Sequence, residues 1–340
     1  MQQLSRRMIL ITGATLLASA LLGGHASAKG ELRSIAAEAG RLDQLHSLVV
    51  HQDKRHVFAK AFRGPALEQP AQIKSVSKTL VALLTGIAID KGIIKGVDQR
   101  ILPLLGLEPF GYPRDGLTIK HLLTMQTGLA STSGRNYGAW VSSGDWVGYA
   151  LNRPLVDRPG GEFIYSTGGW HILGAVLSRA SGQSLHRLAN DWLGDPLDIA
   201  IPPWVTDPDG RYMGGNAMAI SPLGLAKLGD MVLDGGQIDG RTVVSESWLE
   251  TSWQPRGRSP FSGDLYGYGW FLTRYAGQEA AYARGYGGQL LVVVPSRQLS
   301  IVMTSNPNQP AQGDGHFGDL QELVEQIVAS TQGPDKGLDR

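Results

Sequence analysis

The chain has 340 residues, 42% of them hydrophobic and 18% charged, the proportions of an ordinary globular protein with room for a large core. Its 31 basic and 30 acidic side chains leave a net charge of +1, so no strong field draws it to nucleic acid or to an anionic membrane. Cysteine is absent, which excludes disulfides, thiol nucleophiles and thiolate metal sites together.

In chain order, Arg6-Arg7 precede an uncharged apolar run, Met8 to Leu22, and then the small-residue triplet Ala26-Ser27-Ala28. This pattern predicts an export signal over residues 1–28, cleaved after Ala28, with a twin-arginine-like start and a periplasmic or secreted mature protein. The run is short for a membrane span, so no stable membrane insertion is expected after cleavage. Residues 45–62 alternate apolar and polar around Asp53-Lys54-Arg55 and predict an antiparallel hairpin. From Ser75 to about Lys91 the spacing of Leu80, Val81, Leu83, Leu84 and Ile87 predicts a buried helix ending near Gly92. A helix start with Thr118 as cap precedes a loop-rich stretch, Thr127 to Asp145, of a length that is often functional. Further helices are predicted over 170–177, from Ser184, and from Ser221-Pro222 to about Leu233.

The last third changes character. Residues 266–274, 289–294 and 299–303 are β-rich, with Pro295-Ser296-Arg297 as a hairpin turn, and a final amphipathic helix covers 320–327. Strands near both ends with helices between predict an α+β fold: one antiparallel sheet built from both chain ends, flanked by helices, with a mostly helical lobe inserted. The α/β part is expected over about 29–74 and 245–340, and the helical lobe over about 75–244, within one domain spanning 29–340.

Ser75-Val76-Ser77-Lys78 places a hydroxyl and an amine three residues apart, where a helix brings them to one face. A serine hydroxyl needs a base at neutral pH, and a desolvated lysine can serve. About one Ser-x-x-Lys is expected by chance in a chain of this composition, and alone it reads as a capping serine and a surface lysine. Tyr165 lies in a Gly-flanked turn before a buried helix, and alone reads as a packed aromatic. Ala283-Arg284-Gly285-Tyr286-Gly287-Gly288-Gln289 alone reads as a hairpin turn. In order, the three make a nucleophile–base pair, a tyrosine and a Gly-rich strand edge.

With that order, and with Leu117-Thr118-Ile119-Lys120-His121-Leu122-Leu123-Thr124-Met125-Gln126-Thr127-Gly128-Leu129, the chain resembles the β-lactamase-related serine hydrolases over nearly its whole mature length. These include class C-type β-lactamases, D-alanyl-D-alanine carboxypeptidases, esterases and 6-aminohexanoate-oligomer hydrolases. The resemblance implies a β-lactamase/transpeptidase-like fold, Ser75 as acylated nucleophile, Lys78 as base and Tyr165 as proton relay. It also implies an oxyanion hole from the backbone N–H groups of Ser75 and Tyr286. Two positions depart from the family pattern. Thr167 stands where an Asn is usual, and Ala283 where a Lys or His is usual. Arg284 is offset by one residue and is expected on the other strand face. Both departures favour an esterase or amidase over a β-lactamase proper, and Ala-x-Gly-x-x-Gly-Gln is most similar to the 6-aminohexanoate branch.

Substrate contacts are expected from Tyr137, Thr167, Gly285 and Gly288, with a small ester, amide or peptide-like molecule as partner and with no cofactor or metal. A carboxypeptidase or β-lactamase, and a non-catalytic module that senses cell-wall fragments, are the competing readings. Gly-x-Ser-x-Gly, His-Glu-x-x-His and the P-loop pattern are absent from the sequence. His51 and His56 flank the hairpin turn and are expected in solvent, while His121 and His171 are expected as hydrogen-bonded core histidines. Asp145 and Asp207 read as cap or turn carboxylates.

Overall fold

The computed structural model describes residues 32, 34–311 and 315–333; the predicted export signal lies outside the described residues. β1 (Leu45–Gln52) and β2 (Arg55–Ala61) form the expected hairpin, with Asp53 and Lys54 at its turn in left-handed conformations. The other sheet strands come from the far end of the chain: β3 (Gly257–Arg258), β4 (Leu265–Tyr266), β5 (Phe271–Tyr275), β6 (Gln278–Gly285), β7 (Gln289–Val294) and β8 (Leu299–Ser305). Among the described residues they make one antiparallel sheet in the order β2-β1-β8-β7-β6-β5-β4-β3. Pairing of Val49 with Val302 closes the N-terminal hairpin onto the last strand, as the pattern of strands at both ends predicts. β7 and β8 are buried at every position because helices cover both sheet faces, which is why they read as continuous apolar runs. β2 is the polar edge, carrying Arg55 and Lys60 where further pairing would otherwise be invited.

Four helices matter for the site. α1 (Ser77–Asp90) is buried from Ser77 through Ala88, the signature of a helix enclosed on all sides. α2 (Thr167–Ser181) packs beside it and ends on Gly182 in the left-handed conformation. α3 (Pro222–Leu233) begins as expected, with Ser221 accepting from the Gly224 amide and proline in the first turn. It lies on the sheet face that carries Val49, His51 and Ser300, since a Cβ on Gly229 would meet Ser300. α4 (His316–Ser330) covers the opposite face, longer than its predicted 320–327. The helix start at Thr118 also holds: Thr118 caps Ile119–Leu123, and its amide donates to His121 Nδ1 at 3.1 Å.

Two expectations need correction. Residues 266–274 do not form one strand but divide into β4 and β5, and β6 was not foreseen because Gln278 to Arg284 lack the β-branched residues that mark β7 and β8. His51 is not in solvent. Its outward alternation along β1 meets α3, where Nδ1 lies 2.6 Å from Asp230 Oδ2 and Nε2 lies 2.8 Å from His56 Nδ1. Among the described residues no helix is long and apolar enough to cross a membrane.

Candidate active site

Ser75 lies in a single 3-10 turn, Lys74–Val76, that feeds directly into α1. Lys78, in the first turn of α1 and three residues on, lies on the same helical face as Ser75, with Nζ 2.9 Å from Oγ. The turn is entered through Lys74 at φ +50°, a left-handed conformation that costs a lysine about 1–2 kcal/mol. Strain of this kind persists only where surrounding structure enforces it, and here β6 does so. A Cβ on Gly285 would collide with the Ile73 carbonyl oxygen and sit 3.0 Å from Lys74 Cβ. Only glycine lets the strand edge approach the Ser75 turn this closely.

The Lys78 side chain is 3% exposed. Besides Ser75 Oγ, its Nζ meets the Gly215 carbonyl at 2.7 Å and Thr167 Oγ1 at 3.3 Å, and it lies 4.9 Å from the Tyr165 ring centre. All these partners are neutral. Burial therefore pushes the amine below the usual lysine value, against the opposing pull of the Tyr165 phenol. A neutral amine has two N–H donors and one lone pair, which matches the two acceptors, Gly215 and Thr167, with the lone pair left for the Ser75 hydroxyl proton. The rival hydroxyl of Ser77 is engaged elsewhere: it donates to the Lys74 carbonyl at 2.6 Å and accepts from the Met218 amide at 3.2 Å.

Ser75 and Tyr165 open onto a cavity of about 510 Å³, which Tyr137, Thr167, Gly285 and Tyr286 also line. Tyr137 arrives on a short helix (Tyr137–Val141) within the loop-rich stretch, and its hydroxyl accepts from Asn216 Nδ2 at 2.9 Å. Thr167 is buried as the first residue of α2. Ser133 Oγ accepts from its amide at 2.9 Å and lies 2.9 Å from its hydroxyl. The threonine thus bridges Lys78 to Ser133. Tyr286 stands at the β6–β7 turn beside the Ser75 turn, and its amide and that of Ser75 have no acceptor among the described residues.

Gly288 is not brought to the cavity. It turns away at φ +95°, where a Cβ would meet His316 and Leu320 of α4 at 2.9 Å, so its role is to pass the hairpin over that helix. Arg284 alternates with Ala283 and Gly285, and its guanidinium stacks 3.7 Å from the Phe317 ring centre on α4. Arg284 nevertheless lines the cavity alongside Gly285 and Tyr286. Sequence reasoning missed Lys74, the residue before Ser75, and also Ser133 and the adjacent Gly215 and Asn216, which reach the site from two other loops and share no spacing with Ser75.

His171 is a hydrogen-bonded core histidine, as expected. Its Nε2 lies 3.0 Å from Asp207 Oδ2, and its Nδ1 accepts from the Gly214 amide at 3.3 Å. Asp207 is a turn carboxylate as well, accepting from the Arg211 amide at 2.8 Å. Burial opposes its charge, yet the hydrogen bonds from His171 and Arg211 hold it below the usual carboxylate value.

The Beta-lactamase family model matches residues 46–324 of the chain. A 6-aminohexanoate-dimer hydrolase of Paenarthrobacter ureafaciens is 26% identical over 299 residues, covering 79% of this chain and 74% of that protein. A beta-lactamase of Escherichia coli strain K12 is 22% identical, covering 77% of this chain and 83% of that protein. Among solved structures, EstCE1, described as a hydrolase with promiscuous acyltransferase activity, superposes with a TM-score of 0.73. It does so at 17% identity, over 89% of this chain and 99% of its own. The architecture is thus the β-lactamase/transpeptidase-like α+β fold.

Proposed function

The chain belongs to the Beta-lactamase family, a family of serine hydrolases, and from that premise we propose that it cleaves a small ester or amide through an acyl-enzyme on Ser75. The observation that carries this reading is the buried Lys78 amine, 2.9 Å from Ser75 Oγ and faced only by neutral oxygens. Its lone pair takes the Ser75 proton as Oγ attacks the substrate carbonyl carbon. The carbonyl π pair moves onto oxygen, where the Ser75 and Tyr286 amides receive the developing charge; one such donor is typically worth about 10²–10³ in rate. Collapse expels the alcohol or amine, to which Tyr165 passes the proton held by Lys78. Water then attacks the acyl carbon by the reverse proton path, frees the carboxylic acid and restores the Ser75 hydroxyl.

Thr167 and Ala283 favour an ester or simple amide over a β-lactam. A threonine hydroxyl cannot offer the paired donor and acceptor of an amide side chain, and Ala283 supplies no cation on the strand facing Ser75. A fluorophosphonate probe tests the proposal: stoichiometric labelling is expected for the native protein and none for Ser75→Ala. Folded native protein that stays unlabelled contradicts it.

A further inference from the structure

Five aromatic rings line the cavity that holds Ser75, and two of them stand largely in solvent: Phe261, 80% exposed, and Tyr286, 55% exposed. We propose that Phe261 is a specificity residue of this site and, with Tyr286, grips an uncharged apolar chain or ring carried by the substrate. The inference rests on the acyl-enzyme reading above and adds the substrate class: esters or amides with a neutral alkyl or aryl group that runs from the scissile carbonyl to the cavity mouth.

Three observations carry it. First, Phe261 leaves most of an aromatic ring in water, and among the large apolar side chains described only Tyr112 is more exposed. Such side chains scattered singly need no explanation, but Phe261 and Tyr286 converge on one cavity, and no other exposed one lines it. A turn that needed only its geometry would be served by a polar residue at its tip, with no apolar ring in water. Second, the ring is held in place. Phe261 lies in the turn between β3 and β4, where the Ser259 hydroxyl accepts from the Phe261 and Ser262 amides at 3.3 and 3.4 Å. The Ser259 carbonyl accepts from the Gly263 amide at 2.9 Å, and Tyr282 of β6 donates to the Asp264 carboxylate at 2.5 Å. A side chain fixed before binding loses little freedom when a substrate covers it, so the apolar area it buries adds to affinity almost in full. Third, the wall behind it is apolar as well: Phe271 lines the same cavity and stacks on Tyr282 with ring centres 5.1 Å apart. Strand β6 therefore fixes the rim through Tyr282 and the approach to Ser75 through Gly285.

The test compares long and short neutral esters, all kept below their solubility limits. On the acyl side, para-nitrophenyl hexanoate is set against para-nitrophenyl acetate; on the leaving-group side, hexyl acetate is set against ethyl acetate. Phe261→Ala removes the ring, and Phe261→Leu keeps apolar bulk. The native protein is expected to favour the long ester in at least one pair. In that pair the long-to-short ratio of kcat/KM is expected to fall about tenfold in Phe261→Ala and largely to recover in Phe261→Leu. Were Phe261 only the tip of a turn that shapes the Ser75 site, long and short esters would slow together and the ratio would not move. A native ratio near one in both pairs overturns the inference, as does a ratio that Phe261→Ala leaves unmoved. Fluorophosphonate-labelled protein that hydrolyses none of the four esters overturns it as well. Failure of Ser75 labelling in folded native protein removes the acyl-enzyme reading itself, and this inference with it.

Discussion

Lys78 and His171 sit on neighbouring helices at nearly the same depth, 3% and 0% exposed, and both are nitrogen bases. What they face differs. Lys78 meets a serine, a threonine and a peptide carbonyl; His171 meets the Asp207 carboxylate, which Arg211 also holds. Burial alone does not decide what a buried base does. A counter-charge makes it part of the scaffold, and neutral acceptors leave it proton-poor and available for chemistry. The two clusters are joined by two successive glycines: His171 holds the Gly214 amide, and the carbonyl of Gly215 accepts from Lys78. The charged pair positions an acceptor for the reactive one.

The largest expected effect breaks the reactive cluster. Lys78→Met keeps length and apolar bulk but has no lone pair for the proton, and should lower kcat/KM on a neutral ester on the order of 10⁴-fold. Unchanged cooperative unfolding in urea would show that the loss is chemical. Asp207→Ala attacks the scaffold cluster. It strands His171 and Arg211 and should cost about 3 kcal/mol of unfolding free energy by urea titration, with Ser75 still labelled in the fraction that folds. Thr167→Val is milder: it removes one neutral acceptor from Lys78 and the link to Ser133, and should lower kcat/KM about tenfold. If Asp207→Ala abolished labelling of folded protein while Thr167→Val changed nothing, the division of labour between the clusters would be reversed.

Much of this arrangement was readable from local pattern. The hairpin over 45–62, the enclosed helix after Ser77 and the Ser221-Pro222 start depend on neighbours in sequence, and the trio of Ser75, Lys78 and Tyr165 follows from motif order. What escaped depends on tertiary placement. His51 looked solvated beside a charged turn, and only α3, arriving some 180 residues later, covers it. Gly288 looked like a substrate contact because glycines were read as one cluster, whereas strand alternation sends Gly285 to Ser75 and the turn sends Gly288 to α4. Lys74 carried no signal beyond adjacency to Ser75. Its place in the site lies in the left-handed backbone angle that carries the chain into the Ser75 turn, which its neighbours in sequence do not announce.

The claim on which the rest depends is that Lys78 removes the Ser75 proton as a neutral amine. Its folded proton affinity is lowered, so the neutral form gains population as pH rises through a midpoint below the usual 10.5. The direct measurement is kcat/KM for a neutral ester as a function of pH. The expected profile climbs about tenfold per pH unit and levels off at that midpoint. A rate that is flat from about pH 5 to about pH 9, or that is still climbing through the ordinary lysine range, would contradict it.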